Sequence, residues 1–106
     1  MITIDIKPLS VNDAWQGRRF KTKKYLQYQR SLLLMLPKMK IKKSKLKVSF
    51  IFGLTSCADI DNPIKLILDI MQKKYFFDDK DIFILNVEKI LVKSGSEFFK
   101  FNIENI

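Results

Sequence analysis

The sequence contains no histidine, a single cysteine, three glycines and three prolines in 106 residues. Without histidine there is no Ser-His-Asp or Cys-His nucleophilic machinery, no imidazole general base and none of the usual zinc sites built on imidazole. Cys57 by itself cannot close an intrachain disulfide, which fits a reducing interior. No apolar run approaches the roughly 20 residues of a membrane-spanning helix. A membrane surface is the weaker candidate partner, because the clearest amphipathic segment has the apolar spacing of a core helix. The start, Met1-Ile2-Thr3-Ile4-Asp5, lacks a charged region followed by an apolar stretch, so no signal peptide is expected and the setting is intracellular. With no internal repeat and no low-complexity linker, residues 1–106 are expected to form one domain.

What the chain does have is charge, unevenly placed. There are 20 Lys+Arg against 11 Asp+Glu, a net charge of +9. Residues 1–58 carry 13 basic and 2 acidic side chains, and residues 59–106 carry 7 basic and 9 acidic ones. A polycationic half favours a polyanionic partner, since lysine and arginine gain affinity for nucleic acid by releasing counterions from the phosphate backbone. The plain alternative is a lysine-rich surface that serves only solubility.

Periodicity supplies the elements. Ile2, Ile4 and Ile6 alternate with polar residues as a first strand, and residues 8–20 read as a loop. Thr22 is a plausible N-cap, after which Tyr25, Tyr28, Leu32, Leu33, Met35 and Leu36 recur at helical spacing until Pro37 interrupts. A lysine-rich connector follows, and then Leu46, Val48, Phe50, Phe52 and Leu54 alternate as a half-buried strand. Asn62 as N-cap with Pro63 at the first helical position predicts a second helix, whose stripe is Ile64, Ile67, Leu68, Met71 and Tyr75, with Lys65, Asp69, Gln72 and Lys73 on the other faces. Residues 82–92 and the alternation Phe99, Phe101, Ile103 predict two closing strands, paired as an antiparallel hairpin through the Lys93-Ser94-Gly95-Ser96 turn. The expected fold class is α+β, a small mixed sheet with two helices packed on it, in the order strand-helix-strand-helix-strand-strand.

Six of the acids fall between residues 59 and 81: Asp59, Asp61, Asp69, Asp78, Asp79 and Asp81. Asp59 and Asp61 stand two apart, where an extended backbone points both carboxylates the same way, at the junction of a strand and a helix. Asp79 lies beyond a helix of roughly 18 Å and must return along it to join them. If the three meet, they make a hard oxygen site suited to Mg²⁺ or Mn²⁺, which activates water on a phosphate without histidine, and Lys65 can offset charge growing on the phosphoryl oxygens. The structural alternative is equally available: Asp61 and Asn62 as helix caps, Lys65 and Asp69 as an i,i+4 ion pair, Asp78-Asp79 as a turn. A calcium loop fits poorly, because Pro63 stands where that motif needs a spacer and its later glycine and glutamate are missing.

These residues resemble the RusA-type Holliday junction resolvases, small endodeoxyribonucleases of bacteria and their phages. Pro8-Leu9-Ser10-Val11-Asn12, followed by Trp15, Arg18 and Arg19, is similar to the family's P-x-S-x-N opening. Asp59-Ile60-Asp61-Asn62 with Lys65 and Asp69 is similar to its D-x-D-N-x-x-K-x-x-x-D core, and Asp78-Asp79 to its later acidic pair. The resemblance implies a Mg²⁺-dependent homodimer that nicks opposed strands of a four-way DNA junction during recombination and repair. It implies Asp59, Asp61 and Asp79 at the metal and Lys65 as the essential lysine, and leaves open whether Asp78 or Asp81 also reaches the ion. Two departures stand out. Cys57 and Ala58 occupy a place where the family often has basic residues, so DNA backbone contact is expected from Asn12, Arg18, Arg19, Lys21, Lys23 and Lys24; and Lys73-Lys74 replaces the glycine that commonly ends the central helix. The competing functions are a non-catalytic DNA-binding recombination accessory and a general metal nuclease acting on flaps or single strands.

Overall fold

The computed structural model describes residues 1–16 and 20–106. Arg18 and Arg19, expected at the DNA, lie outside the described residues. Among the described residues, six strands and two α-helices are laid out as β1 (Ile2–Ile4), β2 (Trp15–Gln16), β3 (Phe20–Lys21), α1 (Lys23–Met35), β4 (Leu46–Leu54), α2 (Ile64–Tyr75), β5 (Ile82–Leu91) and β6 (Phe98–Asn105). The main sheet has the order β1-β6-β4-β5, with β4 and β5 parallel and the other neighbours antiparallel. This is the mixed sheet and α+β class that the periodicity predicts.

One side of the sheet is sealed by the helices. Along β4 the side chains of Leu46, Val48, Phe50, Phe52 and Leu54 are buried while the intervening positions 47, 49 and 51 are half-buried, so the alternation read from the sequence is the alternation of faces. Phe99, Phe101 and Ile103 of β6 lie beside them, and Tyr25, Tyr28 and Leu32 of α1 with Leu66, Ile67, Ile70 and Met71 of α2 complete one core. Thr22 caps α1 as expected, its Oγ1 accepting from the Tyr25 N–H at 3.1 Å. Tyr75 ties the end of α2 to the connector by donating its hydroxyl to the Pro37 carbonyl at 2.6 Å.

Three expectations need correction. The closing strands do not form a hairpin: β4 lies between β5 and β6. A βαβ crossover through α2 returns β5 parallel to β4 on one edge, and β6, with three fully apolar inward positions, takes the other side of β4, between it and β1, where the helices cover it. Residues 8–20 are not all loop, since Val11–Asp13 make a 3-10 turn and β2 pairs with β3. The helix α2 begins one residue later than expected, with Pro63 at the cap position and no side-chain cap bond; its entrance is held instead by backbone, the Ile64 N–H reaching the Asp61 carbonyl at 3.3 Å.

At its other end α2 stops at Phe76, which adopts the left-handed conformation, φ 58° and ψ 39°. That geometry suits glycine and strains a residue with a Cβ, and the exposed Phe76 ring gains little from packing. Phe76→Gly is therefore expected to raise unfolding stability by about 1 kcal/mol, readable as a higher urea midpoint with an unchanged slope.

Candidate functional site

The acidic loop and the opening motif, far apart in sequence, meet in space. The Val11 N–H donates to the Asn62 carbonyl at 3.1 Å. Pro8, Ser10, Leu54, Ala58, Asp59 and Asn62 line one shallow depression at the C-terminal end of β4. Ser10 stabilises the turn beside it, its Oγ accepting from the Asn12 N–H at 3.2 Å. From the neighbouring strand, Lys89 donates its ammonium to the Ala58 carbonyl and so fixes the backbone just before Asp59. Asp59 and Asp61 are exposed, and among the described residues neither carboxylate has a hydrogen-bond or ion-pair partner. Two carboxylates left open, on a loop held through the backbone carbonyls of Thr55, Ala58, Asp61 and Asn62, have no structural duty in the fold.

One turn further on, α2 carries a charged network. Lys65 donates to Asp69 Oδ1 at 2.9 Å and to Asp79 Oδ2 at 3.2 Å. Asp79 is held a second time by Gln72, whose Nε2 donates to Asp79 Oδ1 at 2.7 Å while its Oε1 accepts the Asp79 N–H at 3.1 Å. Asp79 thus comes back along the helix as far as Lys65. It sits at the start of a 3-10 turn, Asp79–Asp81, that Asp78 caps by accepting from the Lys80 N–H. The two carboxylates raise the Lys65 pKa, Asp69 first, and the ammonium stays charged. The i,i+4 pair and the Asp78-Asp79 turn of the structural alternative are both present; what that alternative did not include is the ion pair from Asp79 to Lys65.

Gln72 is the residue that the sequence reading passed over. Positions 65, 69 and 72 share one helical face, so the spacing was legible; that an amide there would clasp a carboxylate from the following turn was not. A second depression continues from this face, lined by Lys21, Tyr25, Asp69, Gln72 and Lys73. Lys21 lies over the Tyr25 ring at 5.0 Å. Burial, and then the Lys21 charge, push the Lys73 pKa down. Two cations held this close are suited to an anion between or above them. Lys23 and Lys24, in the first turn of α1, are exposed, as is Asn12.

Among the described residues no group of three or more His, Cys, Asp or Glu side chains is disposed to hold a metal ion. By donor chemistry and freedom from partners, Asp59 and Asp61 fit a hard divalent cation; Asp79 is engaged elsewhere, its oxygens accepting from Lys65 and Gln72, and it is not grouped with them. Among the described residues no helix is long and apolar enough to cross a membrane.

The family model described as "Endodeoxyribonuclease RusA" matches residues 10–97, a span that runs from Ser10 through both depressions to the end of the β5–β6 connection. No curated protein matches the chain.

Proposed function

Because the chain belongs to the RusA endodeoxyribonuclease family, we propose that it is a structure-selective endonuclease that resolves four-way DNA junctions by paired nicks in recombination and repair, acting inside the cell as a homodimer with Mg²⁺, or Mn²⁺ in its place. The observation that carries this reading is the pairing of two unpartnered carboxylates, Asp59 and Asp61, with a fixed ammonium, Lys65, at the entrance of one helix. Such an arrangement has no use as a core or a cap, and it has the donors and the cation that phosphodiester hydrolysis needs. Asp59 and Asp61 are the residues that would hold the ion, which when bound supplies Lewis acidity toward a phosphoryl oxygen. Asp79 joins them as a ligand only if the turn that Lys65 and Gln72 hold shifts toward them.

Lys65 is placed to meet negative charge growing on the phosphate, and Asp69, Asp79 and Gln72 hold it there. The basic rim of Lys21 and Lys73, with Lys23 and Lys24 beyond, supplies contact with the DNA backbone. A four-way junction offers two equivalent strands, so a two-fold dimer matches its symmetry.

The test is a nicking assay with and without Mg²⁺ on a synthetic four-way junction, a flap and a linear duplex. Preferential, Mg²⁺-dependent nicking of the junction is expected. Equal cutting of flap and junction would make the protein a general nuclease, and salt-sensitive binding with no cut product on any DNA would make it an accessory factor. Lys65→Met separates chemistry from scaffold in the same assay. It is expected to slow single-turnover nicking by about 10²-fold while changing stability by less than about 1 kcal/mol, because both ion pairs are exposed to water. Unchanged nicking would reduce Lys65 to a surface ion pair.

A further inference from the structure

We propose that β5 is the dimer interface, and that two copies pair antiparallel through this strand about a two-fold axis at Val87. The proposal rests on the dimeric reading above and adds which surface makes the dimer and in which register.

Both edges of the main sheet are free of a second strand among the described residues, but they differ. The edge at β1 is only three residues long, and short edges resist pairing. The edge at β5 runs for ten residues, contains no proline and has one lysine and one glutamate. It exposes large apolar side chains at both ends: Phe83 is 62% exposed, Ile84 41%, Ile90 44% and Leu91 66%. Phe83 stays open even with the Lys45 ammonium 5.1 Å above its ring. A long, apolar, unprotected edge is a template for another strand.

The sequence of β5 is complementary to itself. In an antiparallel pair about a two-fold axis, partners share a face and their numbers sum to a constant. Centred on Val87, Phe83 meets Leu91 of the second copy, Ile84 meets Ile90, Leu85 meets Lys89 and Asn86 meets Glu88. Phe83, Ile84, Ile90 and Leu91 find apolar partners, exposed Leu85 faces Lys89, and an amide faces a carboxylate it can donate to. Centred on Glu88, the two glutamates oppose each other and Asn86 faces Ile90; centred on Asn86, Ile84 faces Glu88 and Leu91 faces Asp81. Opposed glutamates, or an acid set against a bare apolar side chain, disfavour both neighbouring registers, whereas Lys89, opposite Leu85 in the Val87 register, sends its ammonium to the Ala58 carbonyl and offers its aliphatic stem.

The pairing also reaches the site. Phe83 and Leu85 form one wall of a groove whose other wall is Lys65, Leu68 and Asp79. In the Val87 register, Leu91 of the second copy lies across from Phe83 and covers the mouth of that groove. Two four-stranded sheets become one of eight strands, and the two Phe83 positions lie roughly 27 Å apart along the strand direction.

Oligomeric state by sedimentation equilibrium is the first measurement. The parent chain is expected to be dimeric; Ile84→Glu alone and Ile90→Lys alone are each expected to weaken the dimer on the order of 100-fold. The double variant sets the new acid against the new base across the axis and is expected to recover most of the loss. Register is read by oxidative crosslinking in a Cys57→Ser background. Val87→Cys brings two thiols face to face at a Cα separation of about 4.5–5.5 Å, within disulfide reach, and is expected to form a covalent dimer. Asn86→Cys and Glu88→Cys are expected to stay uncrosslinked. Circular dichroism identifies any variant that fails to fold, and the Cys series at half-buried or exposed positions does not depend on the charged variants. A parent dimer that survives Ile84→Glu, with no crosslink from Val87→Cys, would overturn the interface and leave the dimeric nuclease standing. A parent that nicks junctions as a monomer at all concentrations would overturn the dimeric reading itself.

Discussion

Asp61→Asn is expected to bind a four-way junction as tightly as the parent chain and to nick it about 10³-fold more slowly. The substitution keeps shape and removes one charge. Among the described residues that charge has no partner: the Asp61 carboxylate is exposed, and the residue is tied into the fold by its backbone carbonyl, which accepts from the Ile64 N–H. Stability is therefore expected to move by less than about 0.5 kcal/mol. Binding has no reason to fall either, because an acid facing a phosphate backbone opposes association rather than aiding it. Asp59→Asn is expected to behave the same way. The measurements are a junction gel-shift titration and single-turnover nicking in the same buffer. Nicking at the parent rate would remove Asp61 from the chemistry, and a matched loss of binding and nicking would make its role structural.

The second large effect concerns the core. Phe99→Ala is expected to cost about 3–5 kcal/mol, a large share of what a domain this size has to lose. Phe99 is fully buried on β6, with ring centroids 6.3 Å from Phe50, 6.3 Å from Phe52 and 6.0 Å from Phe101. The rings meet tilted or edge-on, the orientation in which aromatic pairs attract. Because β6 joins β1 to β4, a cavity at Phe99 loosens three strands together. Urea unfolding followed by circular dichroism measures it, and a loss below about 1 kcal/mol would mean that the aromatic cluster is far less tightly packed than these distances indicate.

Much of the scaffold could be read along the chain. The alternation in β4 is read directly because each inward residue is apolar and each outward one is small or charged, with Ile51 the exception. Thr22 marks the start of α1 because a hydroxyl before a helical stripe has one common use. The D-x-D-N-x-x-K pattern pointed to hard oxygen donors, and the absence of histidine narrowed the chemistry further. The β5–β6 hairpin failed for a definite reason. The Lys93–Ser96 turn is equally compatible with a strand that pairs with its predecessor and one that passes the end of β4 to lie on its other side. Burial decides between them: Phe99, Phe101 and Ile103 need cover on the helix side, and β5 has fewer residues that do. The Pro63 boundary slipped by one because the entrance to α2 is closed by backbone, which leaves no residue signature.

Sequence alone settled which faces are apolar, which acids and bases exist and how they are spaced within each element, since those follow from local periodicity and side-chain chemistry. Only the tertiary structure decided that β4 separates β5 from β6, that Asp79 returns to Lys65 and Gln72, that Val11 docks on Asn62, and that β5 is left as an open edge. Each of these joins residues that the chain's periodicity treats as independent, and which partners meet depends on the packing of the whole sheet against its helices.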